Sequence, residues 1–136
     1  MLADQEMFDT VAKHLFTQGR PAISPSEGTC KFRTNDGLKC AAGCLIPDDL
    51  YRTWLEGGDV YNSYVWTIFR DNITTNQLLL YDLQKAHDEG VRKAFRSATR
   101  APQWESTEAM RARLRTVALN YGLNADILET LSFEGR

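Results

Sequence analysis

The tightest constraint on this chain is a helical rhythm of apolar residues near its start. Phe8, Val11, Ala12, Leu15 and Phe16 fall at i, i+3, i+4, i+7 and i+8. At 3.6 residues per turn that spacing lines one side of a cylinder, which folding must cover. An amphipathic helix is therefore predicted over residues 4–18, stopped by Gly19 in the usual C-cap position. Later segments repeat the pattern. Thr74 and Gln77 have capping-box spacing before Leu78–Leu83, so a helix should run from there to at least Asp88. Gly90 either ends it or is tolerated before Val91, Ala94 and Phe95, and Pro102 closes the region. Ser106 or Thr107 caps a last long helix whose buried stripe is Met110, Leu114, Val117, Ala118 and Tyr121, with Gly122 as the stop. Asn124 caps a short terminal helix reaching Leu131.

Between these helices the pattern changes. Residues 20–28 carry two prolines, two serines and a glycine and read as a surface loop. Asn35-Asp36-Gly37 then separates two short β-compatible runs, the signature of a hairpin. A three-residue loop pairs Thr34 with Leu38, Phe32 with Cys40 and Cys30 with Ala42, which turns Cys30, Phe32, Leu38, Cys40 and Ala42 inward and Lys31, Arg33 and Lys39 outward. Pro47, followed by Asp48 and Asp49, suits a helix start running to about Glu56. Residues 59–73 show no clean period, and 59–69 could add a strand. The expected fold is α+β and mostly helical, a small β-hairpin at about residues 29–46 packed against four to six helices in one globular domain, 1–136.

With 43% hydrophobic and 25% charged residues the composition is that of a soluble globular domain. The opening MLADQEM has no apolar signal core, and no apolar run approaches the length of a membrane span. These features, with an odd count of three cysteines, imply a cytoplasmic chain with reduced thiols and no membrane partner. No cofactor is implied.

All three cysteines lie within "TCKFRTNDGLKCAAGCLIPDD", residues 29–49. The spacing Cys30-x9-Cys40-x3-Cys44 lacks the short paired knuckle of structural zinc sites, so no metal is assigned. A thiol nucleophile would need Cys40 or Cys44 activated by His87, with Asp88 orienting the imidazole. Nothing in the spacing shows that they meet. The bland reading is packing beside Ala41, Ala42 and Gly43, since free cysteine is among the most buried residue types. His14 and His87 both border apolar stripes, and His87-Asp88 is the first place to look for a pH-sensitive group.

Charge is uneven: 7 basic against 11 acidic side chains over residues 1–84, and 9 against 7 over residues 85–136. Helical spacing pairs Asp88 with Arg92, Glu89 with Lys93 and Glu108 with Arg111, leaving Arg96, Arg100, Arg113 and Arg115 as candidates for phosphate contact. A net charge of −2 lacks the positive field of most nucleic-acid binders.

The segments "TVAKHLFTQG", "CKFRTNDGLKCAAGCLIPDD", "DLQKAHD" and "LRTVALNYGL" together resemble a group of small proteins of bacteriophages, prophages and their proteobacterial hosts. The resemblance implies an accessory protein of a mobile element and carries no catalytic or binding role to any residue. Residues 51–66 hold five of the eight Tyr and Trp side chains, Tyr51, Trp54, Tyr61, Tyr64 and Trp66, close to Asp48 and Asp49. Such residues serve interfaces as readily as cores. The leading expectation is a binding or regulatory module for a host protein or small ligand. The alternatives are a cysteine-dependent hydrolase or transferase, and a nucleic-acid contact through residues 92–115.

Overall fold

A computed structural model describes residues 1–24, 29–91 and 103–134. Four α-helices carry the fold among these residues: α1 Asp4–Gln18, α2 Ser63–Asn72, α3 Gln77–Glu89 and α4 Thr107–Asn120. Short 3-10 turns lie at Gly43–Leu45, Thr53–Leu55 and Asp126–Thr130. α1 is the hub: it touches α3, α4, the turn at Gly43–Leu45 and the turn at Asp126–Thr130, while α3 packs along α4. Its stripe is fully buried, Met7, Phe8, Val11, Ala12, Leu15 and Phe16, which is what the 3.6-residue rhythm requires. Gly19 ends the helix at φ 75°, and the chain's last described residues fold back over it, with the Glu134 N–H donating to the Phe16 carbonyl at 2.9 Å. A Cβ on Gly19 would overlap the Glu134 carbonyl oxygen.

The expected hairpin does not form, and the fold is helical rather than α+β. Among the described residues the only strand-like pairings are isolated bridges, Ile23 with Cys30, Arg33 with Lys39 and Val91 with Trp104. The turn at Asn35-Asp36-Gly37 does close, with the Thr34 N–H on the Leu38 carbonyl at 2.9 Å and Gly37 at φ 89°. Beyond it the ladder is pre-empted, because side chains from elsewhere take its backbone groups. Glu56 accepts from the Phe32 and Arg33 N–H groups at 2.9 and 3.0 Å. Gln18 accepts from the Lys39 N–H and donates to the Lys39 carbonyl, which also receives His14 Nε2–H. Gln84 accepts from the Ala42 N–H at 2.9 Å. With these backbone groups of Phe32, Arg33, Lys39 and Ala42 already partnered, they are not left for strand pairing to satisfy.

Other boundaries also move. Pro47 starts a tight turn, its carbonyl receiving the Leu50 and Tyr51 N–H groups, and no α-helix runs to Glu56. Residues 59–69 supply no strand: Asn62 caps α2 by accepting from Tyr64 and Val65 N–H. α3 is capped by Asn76 rather than Thr74, whose hydroxyl instead accepts from the Asn76 N–H. α4 is capped by Ser106, whose hydroxyl accepts from Ala109 N–H. Trp104 is fully buried, donates Nε1–H to the His87 carbonyl and stacks on Phe133, closing the core between α3 and the C-terminal segment. No described helix is long and apolar enough to cross a membrane. The pairings of Arg92 and Lys93, the continuation through Ala94 and Phe95, and Pro102 lie outside the described residues.

Candidate functional site

The turn segment, the loop after it and the outer side of α3 enclose a cavity of about 300 Å³. Cys30 and Cys40 reach it from the turn segment, Glu56 and Asp59 from the loop, Gln84 and Asp88 from α3. Tyr81 stands at the same wall, with Lys31 and Lys85 the basic members of the lining. Its position follows from the pinning described above. Glu56 and Gln84 hold the turn segment by its backbone, and their own side chains become walls.

Cys30 and Asp88, on this wall, meet the buried His87 behind it, with one ligating atom from each within 4.8 Å of the others. Cys30 is exposed and His87 is completely buried. The hydrogen bonds settle where the protons sit. The Ala22 N–H donates to His87 Nε2 at 3.0 Å, so that nitrogen carries the lone pair. Nδ1 therefore bears the proton and donates to Asp88 Oδ1 at 2.8 Å. Gln84 Nε2 and the Cys30 thiol also donate to the Asp88 carboxylate. Burial alone would push the Asp88 carboxyl up. The hydrogen bonds from His87, Cys30 and Gln84 outweigh it and hold the group below its ordinary value.

This arrangement holds the residue types of a thiol triad in the wrong order. A nucleophilic cysteine needs the free nitrogen of an imidazole to take its proton, with a carboxylate behind the ring. Here the carboxylate lies between thiol and imidazole, and both ring nitrogens are already engaged. The two cysteines expected to be nucleophiles are elsewhere in character. Cys40 is buried, its sulfur accepts from Gly43 N–H, and burial pushes its thiol well up. Cys44 donates to the Ala41 carbonyl, and burial pushes it up to about 12. Both remain protonated, and a thiol that keeps its proton is a poor nucleophile. Gly43 fits the same packing, since a Cβ there would overlap the Phe32 carbonyl oxygen.

Beside the cavity lies an aromatic surface. Trp54 and Tyr64 are 59% and 73% exposed and meet edge to face at 6.3 Å. Tyr61 meets Tyr81 at 5.0 Å, and Leu78 is exposed on the same helix as Tyr81. The other two aromatic candidates are structural in their contacts. Tyr51 donates to Glu56 and lies under the Arg33 guanidinium at 4.4 Å, and Trp66 is half-buried against the core. Asp48 pairs with Arg33 at 2.9 Å, while Asp49 is exposed and its carbonyl receives Arg52.

Of the four arginines considered for phosphate contact, Arg96 and Arg100 lie outside the described residues. Arg113 donates to the Ala86 carbonyl and is half-buried, and Arg115 pairs with Glu129. Reading the sequence missed Cys30 as the cysteine that meets His87 and Asp88, and Leu78 and Tyr81 as part of the aromatic surface. The latter signal was present: the buried stripe of α3 runs through Leu79, Leu80, Leu83, Ala86 and His87, which leaves Leu78 and Tyr81 facing outward. Comparison of the chain with protein-family models, with curated proteins and with solved structures finds no match.

Proposed function

We propose that this chain is a binding module that captures a protein partner through Trp54, Tyr61, Tyr64, Leu78 and Tyr81. The observation that carries the reading is the exposure of these five large side chains on neighbouring elements, two pairs of them already in ring contact. Exposed apolar groups concentrated in this way mark interaction sites more often than scattered ones do. Tyr and Trp supply the largest share of binding energy in such sites, because a rigid ring buries much area with little loss of rotamer freedom. The engaged imidazole and protonated buried thiols favour binding over thiol catalysis. In the setting implied by the resemblance to phage and prophage proteins, the partner is a protein of the bacterial host.

The test uses the full chain as bait in crosslinking and affinity capture from a bacterial lysate, beside the double variant Trp54→Ala, Tyr64→Ala. Both side chains are exposed, so the variant should keep its helical circular dichroism and its melting temperature. A specific partner should be enriched by the wild-type chain and reduced at least tenfold by the variant, as loss of hot-spot residues worth about 2 kcal/mol or more predicts. Equal capture by the two chains would remove the reading.

A further inference from the structure

We propose that Cys30, His87 and Asp88 form a binding site for a borderline-soft divalent cation, zinc foremost. The three side chains supply a sulfur, an imidazole nitrogen and a carboxylate oxygen within 4.8 Å of one another. Zinc accepts all three kinds of ligand, and the thiolate and imidazole select against magnesium and calcium. The site also has what ligands alone do not provide. Asp88 is oriented by Gln84 Nε2 at 2.9 Å, an outer contact of the kind that fixes ligating carboxylates. Cys30 is exposed on the wall of the 300 Å³ cavity, which gives the ion an entry path and room for a water as fourth ligand.

The protons mark where the ion goes. Cys30 S–H and His87 Nδ1–H both point at the Asp88 carboxylate, and a cation bound to all three groups replaces both. The thiol proton passes to solvent. The Nδ1 proton also leaves, and Nε2 takes one up, so that the ligating imidazole stays neutral; the net release is one proton per ion. Nε2–H then faces the Ala22 N–H that formerly donated to it at 3.0 Å. Two donors cannot share that contact, so the Ala22 peptide turns away. Metal binding at this site is thereby coupled to a backbone group that touches no metal.

The experiment titrates the full, chelator-treated chain with Co²⁺ and then Zn²⁺. One equivalent of Co²⁺ should give near-ultraviolet thiolate-to-cobalt absorption, displaced by Zn²⁺, with one proton released per ion. Amide exchange at Ala22 should accelerate at least tenfold when metal is bound. Cys30→Ser keeps a hydroxyl donor toward Asp88 and so preserves the fold, yet should lose the absorption band and weaken Zn²⁺ binding roughly 100-fold or more. Absence of the band in the wild-type chain would overturn the proposal. So would a band that survives Cys30→Ser, which would place the metal on another thiol, or an Ala22 amide unmoved by bound metal, which would remove His87 from the ligand set.

Discussion

His14 and His87 carry their protons on opposite nitrogens, and each choice is forced by a backbone group. His14 donates Nε2–H to the Lys39 carbonyl at 2.8 Å, while His87 receives the Ala22 N–H on the same atom and keeps its proton on Nδ1. Burial drives the pKa of His14 below its ordinary value of 6.5, opposed only in part by the bond to Lys39. The unfolded chain thus takes up a proton that the folded chain resists. His14 stabilises the fold fully above pH 6.5, and that contribution is lost as pH falls through the window below it. Asp88 acts in the same sense lower down: its carboxyl is held below 3.8, so its contribution disappears as pH falls through the folded value. Urea midpoints measured against pH should accordingly fall in two stages. His14→Gln, which keeps a donor for the Lys39 carbonyl but does not titrate, should flatten the first stage and leave the second.

At the scale of elements, the turn segment shows how local signals and distant partners compete. The helices α1 and α4 and the turn at residues 35–37 were legible because their determinants are close in sequence: apolar spacing, a capping serine, a glycine at positive φ. The hairpin was not. Its backbone groups are taken by Gln18, Glu56 and Gln84, between 21 and 42 residues away, and no short-range pattern reports such bonds. The candidate site divides in the same way. His87-Asp88 was visible as an adjacent pair, whereas the meeting with Cys30 depends on how the segment before the turn lies against α3. Glu56 tests the pinning directly, because one carboxylate serves Phe32, Arg33 and Tyr51. Glu56→Ala should lower the unfolding free energy by about 3 kcal/mol in urea titrations, the scale of stranding buried donors that faced a charged acceptor. Its helical circular dichroism should barely change, since no α-helix contains that residue. A loss below about 0.5 kcal/mol would mean that water replaces the carboxylate without penalty.

Across the whole molecule, the core closes from the C-terminal side. Phe133 meets Phe16 at 5.2 Å and Trp104 at 5.3 Å, and Arg111 ties α4 to the Leu128 and Leu131 carbonyls. Through Trp104 the same packing reaches His87, 5.4 Å away and edge to face. Phe133→Ala should cost about 3 kcal/mol as an aromatic deletion at the margin of a core. It should also move tryptophan emission to longer wavelength by uncovering Trp104, and both changes are read in one thermal scan followed by fluorescence. An unshifted spectrum would place the ring outside the packing that shields the indole. The side-chain moorings of residues 30–42 also decide what this stretch is joined to. Gln18 belongs to α1 and Gln84 to α3, while Glu56 stands in a loop. A partner or an ion arriving at the Cys30 edge therefore meets two helices through side-chain amides rather than through a shared sheet.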